Sequence, residues 1–265
     1  MRDAAECLER RLAPRPVRWL DIASDLEHFA LITYAVPPER LRPHIAERFD
    51  LPTFDIDGRP RALLSVVPFV DTAFHFIRLA PFARFRFGQT NYRVYVVDRR
   101  TGEHVVWFFG TTLGSHLVWP ARWLWRIPWY YARYTTEVDY DAAARRYRRF
   151  IYRVRSRWAD AHVDIEDTGQ PLSSPLPGFR DLEHTLLILT HPVEGFFYRL
   201  DRTVGTYSVS HPVMSPTLGA PRRLHFALLE RHGVLSPDEM QTPHSILLTP
   251  RISFHIHMPP RRCRD

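Results

Sequence analysis

The 23 prolines of this chain run from Pro14 to Pro260 and divide it into short apolar stretches. A helical bundle cannot carry that distribution, because each proline removes a backbone donor and clashes with the preceding helical turn. Short apolar runs bounded by turn formers are the rhythm of a β-rich domain. Strands are predicted over residues 62–69, 91–97, 105–111, 150–158, 185–190, 195–200, 203–210, 224–229 and 251–258. Helices are few: residues 3–12, a short one opened by Pro37 and Pro38 through Ile45, and one in the Ser115–Trp125 region. Ser115 is the expected N-cap of that last helix, with Pro120 near its first turn. The weakest pattern, over residues 164–179, reads as an internal loop, because strands resume beyond it with the same spacing. The expectation is therefore a single mostly β (α+β) domain over residues 1–265, with its core at about 17–260.

The basic residues narrow the chemistry. All 36 are arginine, and the sequence contains no lysine. That removes the Schiff base to a carbonyl substrate, the pyridoxal phosphate anchor and the Walker-type phosphate loop. The formal charge of +7 raises nucleic acid or anionic lipid as partners. The densest basic run, from Arg145 to Arg157, ends with Arg153, Arg155 and Arg157 alternating with Val154, Ser156 and Trp158. That is the pattern of a half-buried strand with a solvated arginine face. Zinc-finger spacing, a GxxG clamp and an RNP-like motif are all missing, so sequence-specific nucleic-acid binding is not expected. Cys7 and Cys263 imply no disulfide framework, and no stretch approaches the length of an apolar membrane span. The N-terminus lacks the apolar core of a signal peptide, so a cytoplasmic protein without a transmembrane segment is expected. A homo-oligomer stays open.

The most informative segment is Gln89 to Val97. Alternation places Gln89, Asn91, Arg93 and Tyr95 on one strand face and Thr90, Tyr92, Val94 and Val96 on the other. If the polar face lines a barrel interior, Arg93 can hold a carboxylate in a bidentate fork, with Asn91 and Gln89 donating alongside. If it lies outside, it is an ordinary solvated face. Residues 119–134 hold four of the seven tryptophans, Trp129 among them. They read as core, as an aromatic-lined mouth for an organic ligand, or as an interfacial helix. His255 and His257 share a strand face with Arg251 and Ser253, and no third ligand spacing accompanies them, so no metal and no cofactor are expected.

The order of several segments resembles the YqjF-like uncharacterised family, domain of unknown function 2071, of the acetoacetate decarboxylase-like superfamily. They are Val36-Pro-Pro-Glu-Arg-Leu-Arg-Pro, Ser65-Val-Val-Pro-Phe69, Asn91-Tyr-Arg-Val-Tyr-Val96, Val106-Trp-Phe-Phe-Gly110, Ile127-Pro-Trp-Tyr-Tyr-Ala132 and the Tyr-Arg-Val-Arg-Ser-Arg run at 152–157. The resemblance implies an antiparallel β-cone or barrel around a small-molecule pocket, with a few flanking helices. In the decarboxylases a lysine pair follows a proline in a segment comparable to the one with Trp129 and Tyr130 here, and the family pattern usually has an acid before the Asn-x-Arg signature, where this chain has Gln89. The expectation is a barrel that binds a small organic acid or carbonyl compound through Gln89, Asn91, Arg93, Tyr95 and Trp129. Its catalysis would be proton transfer, dehydration or cyclisation, with Glu194, Tyr198, His116 and Tyr130 as titratable candidates. The alternative is a non-catalytic ligand- or partner-binding module.

With no lysine, the N-terminus is the only amine in the chain. Borohydride treatment with acetoacetate is expected to leave the protein mass unchanged; a stoichiometric adduct mapped to an internal residue would contradict this reading.

Overall fold

The computed structural model describes residue 9, residues 11–13 and residues 15–263. Its centre is a closed ring of seven strands. β1 (Ile22–Val36) pairs with β4 (Arg59–Phe76), which pairs with β5 (Ala80–Asp98) and then β6 (His104–Leu113). β11 (Glu194–Tyr198) follows β6 in parallel, β12 (Val204–Ser210) pairs with β11, and β14 (Ser245–Arg262) pairs with β12. β14 then returns to β1, from Thr33 opposite Ser245 to Ile22 opposite Ile256, and shuts the barrel.

A second group of strands extends from β14 as a wing: β13 (Thr217–Phe226), β10 (Ala161–Pro171), β9 (Arg146–Arg155) and β8 (Arg133–Asp141). It wraps the outside of the barrel. Phe150, Tyr152 and Val163 of the wing join Ile32, Leu64, Val66, Tyr92 and Val94 of the barrel in one core cluster. The opposite faces of the same barrel strands contribute Leu31, Leu63, Val67, Tyr95, Val106 and Phe108 to an interior cluster. Strand alternation thus sorts side chains between two dry compartments, and neither face meets water there. β2 (Phe49–Asp50) and β3 (Phe54–Ile56) are short edge pieces on β5 and β4, and β7 (Trp129–Tyr131) lies parallel to β6. The labelled helices are α1 (Pro38–Leu41), α2 (Val118–Trp125), α3 (Leu182–Leu189), α4 (Ala227–Arg231) and α5 (Pro237–Met240). None of the described helices is long and apolar enough to cross a membrane.

Several local expectations change. Residues 185–189 form part of α3 and not a strand, with Thr190 as its C-cap, because Asp181 caps the start of the segment by accepting from the His184 amide at 2.6 Å. A short apolar run does not separate a buried strand from a buried helix turn, and the cap decides. The stretch 224–229 splits: β13 ends at Phe226 and α4 begins at Ala227. Residues 164–171 continue β10 against β13, so the loop begins only after Pro171. β9 stops at Arg155, short of Trp158. Ser115 is not the N-cap of α2, which is Leu117; the Ser115 hydroxyl accepts from the Leu117 amide instead. Of the helix expected over 3–12, residues 9, 11 and 12 are helical and the rest lie outside the described residues.

Tyr134 fastens the wing to the barrel. Its hydroxyl lies 2.7 Å from Thr112 Oγ1 and 3.0 Å from both Thr90 Oγ1 and the Thr112 carbonyl. Its ring covers Gly88, where an added Cβ would fall on the ring carbons. With the hydroxyl anchored, the ring cannot retreat. Gly88→Ala is expected to destabilise the protein by about 1–3 kcal/mol, read as a lower urea midpoint; an unchanged midpoint would show that Tyr134 does not clamp the wing.

Candidate functional site

The barrel interior holds a cavity of about 70 Å³. Its walls are mostly apolar, with Phe29, Phe69, Phe108, Met214 and Phe254 among them. Against that background one polar stripe stands out. On β5, Arg93, Asn91 and Gln89 face inward in succession, and on β4 Asp71 continues the line. The register places Phe69 opposite Gln89, so Asp71 is the diagonal neighbour of Gln89. The stripe therefore carries a guanidinium at one end and a carboxyl group at the other.

Each end is under-satisfied. Arg93 donates from Nη2 to the Leu189 carbonyl at 2.9 Å, above the Tyr95 ring, while its buried Nε has no partner. No acid pairs with Arg93 among the described residues. Between the ends, Gln89 Nε2 and Thr111 Oγ1 both donate to Asn91 Oδ1, at 3.0 and 2.8 Å, which fixes the amide and turns its Nδ2 away from them. Asp71 accepts from Ser24 Oγ at 2.9 Å through Oδ1, and its buried Oδ2 has no partner. Burial pushes the Asp71 carboxyl up to about 7, only partly offset by Ser24. An unpartnered carboxylate oxygen in a dry wall is tolerable chiefly as the neutral acid.

Two histidines close the Arg93 end. His211 lines the cavity against Phe254, with ring centroids 4.3 Å apart, and His191 lies 4.6 Å from His211. Burial pulls both down to about 4, so each is a neutral imidazole near pH 7. Tyr207, also on the wall, is pushed above the usual phenol range by burial.

The family profile of DUF2071, an uncharacterised conserved protein, matches residues 23–252. The chain belongs to this family. No curated protein sequence matches it. Among solved structures, acetoacetate decarboxylase from Legionella pneumophila has a TM-score of 0.62 at 13% identity, over 96% of this chain and 92% of that one. The enduracididine biosynthesis enzyme MppR, complexed with pyruvate, has a TM-score of 0.59 at 13% identity, over 95% and 91% of the respective chains. An acetoacetate decarboxylase-like enzyme from Sphingomonas wittichii has a TM-score of 0.52 at 10% identity, over 91% of both. At these identities the likeness is one of fold, and it matches the mostly β barrel with few helices expected from the resemblance.

Within this DUF2071 member, the residues singled out from sequence divide into separate places. Gln89, Asn91 and Arg93 line the cavity together. Tyr95 sits beneath them, its hydroxyl 2.8 Å from Ser65 Oγ and donating to the Leu189 carbonyl. The four titratable candidates are not on the cavity wall. Glu194 and Tyr198 alternate with Gly195 and Phe197 on β11, so they project from the outer face while Gly195 and Phe197 face in. Tyr198 packs edge-on against Trp107. Tyr130 stacks on Trp158 outside the barrel, and His116 stacks on Tyr131. Trp129 lines the same outer groove as Tyr130. His257 contacts Asp21 and Ser210, and His255 is exposed. The acidic, phenolic and imidazole groups that do reach the cavity are Asp71, Tyr207 and His211, none of them among the sequence candidates. Asp71 had a signal, since the inward face Ser65, Val67, Phe69 continues to it two residues past the expected strand end. His211 has the same kind of signal, since the face of Tyr207 and Val209 continues to it one residue past the expected strand end at 210.

The Asp71 shift has a pH signature. Its folded pKa lies above the unfolded value, so the stability it contributes is fully present below about pH 4 and is lost as pH rises through about 7. Asp71→Asn keeps the shape and removes that loss, so the variant is expected to be more stable than the parent at pH 8, by up to about 4 kcal/mol, and to differ little at pH 4. His191 and His211 act in the opposite direction, losing stability as pH falls from 6.5 through about 4, in parent and variant alike. Melting curves of both proteins across this range check the assignment; parallel curves would refute it.

Proposed function

We propose that the interior cavity binds a small organic acid, and that the bound acid undergoes proton transfer without a covalent amine. The observation that carries this reading is Arg93, a half-buried guanidinium on a mostly apolar wall, with its Nε buried and unpartnered and no acid paired with it among the described residues. A half-buried cation without a counter-charge is still under-satisfied, and a ligand carboxylate would complete it. The fork geometry suits a carboxylate, and Asn91 offers an amide beside it. A carbonyl or hydroxyl on the ligand would then lie along Gln89 toward Asp71. A carboxyl group with a pKa near 7 is matched to giving and taking protons at neutral pH. MppR, on the same fold, is complexed with pyruvate, which supports a keto acid as the ligand class.

The chemistry assigned here uses general acid and base groups only. Arg93 orients the carboxylate and stabilises negative charge as it spreads into an adjoining enol or enolate. Asp71 exchanges the proton. The neutral imidazoles of His191 and His211 add no competing positive charge at the Arg93 end, so the anion has one cation to choose.

Pyruvate is the probe. The parent is expected to bind it saturably and to speed deuterium entry into its methyl group in heavy water, read by proton NMR. Arg93→Met is expected to abolish binding while the melting temperature holds or rises, since no internal acid is stranded. Asp71→Asn is expected to retain binding and lose the exchange. A large fall in stability of Arg93→Met with pyruvate affinity unchanged would eliminate the clamp; binding with no exchange in the parent would leave a binding module in place of an enzyme.

A further inference from the structure

A second concavity, of about 590 Å³, lies outside the barrel between α2, β7 and the ends of β8 and β9. It shares no lining residue with the interior cavity. Its floor is rigid. Tyr130 and Trp158 stack at 4.2 Å with rings 7° apart, and Arg122 lies 4.8 Å over Tyr130 while donating to the Trp129 carbonyl at 2.7 Å. On the rim the indole of Trp119 is 58% exposed, so it offers an open stacking surface.

The charge on the opposite rim is unusual. Arg133 and Arg155 are directly paired across β8 and β9, so their side chains leave the same face as neighbours. Like charges in that position repel. The acid nearest along this face, Glu137, is already engaged by Arg149 and Arg153. Asp160, in the following loop, accepts from the Ser156 amide. Neither Arg133, Arg155 nor Arg157 has an acid partner among the described residues, and the groove lining contains no acid at all. Two adjacent unpaired forks suit a group with several anionic oxygens. Exposed aromatic rings beside them suit a planar base.

We infer that this groove is a second ligand site, which takes a nucleoside phosphate: the phosphate on Arg133 and Arg155, and the base on Trp119. The volume is that of a small-molecule site. The chemistry recognised is the phosphate and base together, whether in a free nucleotide or in a single strand. Stacking and phosphate contacts read no sequence, so the site discriminates nucleotides from other anions more than one base from another.

The test is calorimetric titration of the full chain with 5′-AMP, adenosine, inorganic phosphate and a short oligoadenylate. AMP is expected to bind saturably, and adenosine and phosphate each more weakly by roughly tenfold or more. Arg133→Gln and Arg155→Gln are each expected to weaken AMP by a similar factor, and Trp119→Ala to weaken AMP without changing phosphate. Both arginine variants should melt at the parent's temperature or above it, because a repulsion is relieved. Oligoadenylate binding far tighter than AMP would place the ligand in a strand, and equal or weaker binding would place it in the free nucleotide pool. No saturable AMP signal at millimolar concentration, unchanged affinity in the arginine double variant, or a lowered melting temperature in either single variant would overturn the site. Arg93→Met should leave AMP binding untouched, which separates this outcome from that of the interior cavity.

Discussion

Everything in this molecule depends on the pairing of β1 with β14. These strands come from opposite ends of the chain, and their ladder turns an open sheet into a closed barrel. Closure removes the two edges that would otherwise expose unpaired backbone groups. Asp21 secures the junction at the end of β1, where its carboxylate accepts from the backbone amides of Arg18 and Met258, both at 2.9 Å. Once the ring is shut, each barrel residue points either into the lumen or out toward the wing. The wing then covers much of the outer face, so the barrel wall is dry on both sides.

A dry lumen sets the charge states of the groups on its wall. Burial holds His191 and His211 neutral and moves Asp71 into the neutral range, with the guanidinium of Arg93 on the same wall. The stripe from Arg93 to Asp71 is thus a charge gradient inside an apolar shell. Fields act more strongly there than on an open surface, because burial reduces screening by solvent. On an outer face, water would solvate Asp71 and the two imidazoles and remove the burial that shifts them.

The fold is shared with acetoacetate decarboxylase and MppR at low identity, yet the sequence has no lysine anywhere. The barrel therefore cannot do imine chemistry with a side-chain amine. Where the resemblance aligns a lysine pair, Trp129 and Tyr130 stand; both line the outer groove, and Trp129 also packs against the interior cluster. A common scaffold with a different set of wall residues is how one fold hosts different chemistries.

The strand-rich class, the grouping of Gln89, Asn91 and Arg93 on a single face, and the exclusion of amine catalysis were all legible in the sequence. They follow from proline spacing, from the two-residue period of a strand and from composition, which are local properties. Local periodicity did not settle β1, because Phe29–Tyr34 is buried on both faces and shows no alternation. It misread α3, where one capping hydrogen bond outweighed a strand-like run. Which face of β5 turns inward, and that Asp71 and His211 meet it there, was decided only by closure of the barrel. So was the dispersal of Glu194, Tyr198, His116 and Tyr130 to its outside. A residue's period fixes which neighbours share its face, but the side of the wall on which that face lies depends on how distant strands join, and with it whether a carboxyl group is an exposed anion or a buried acid.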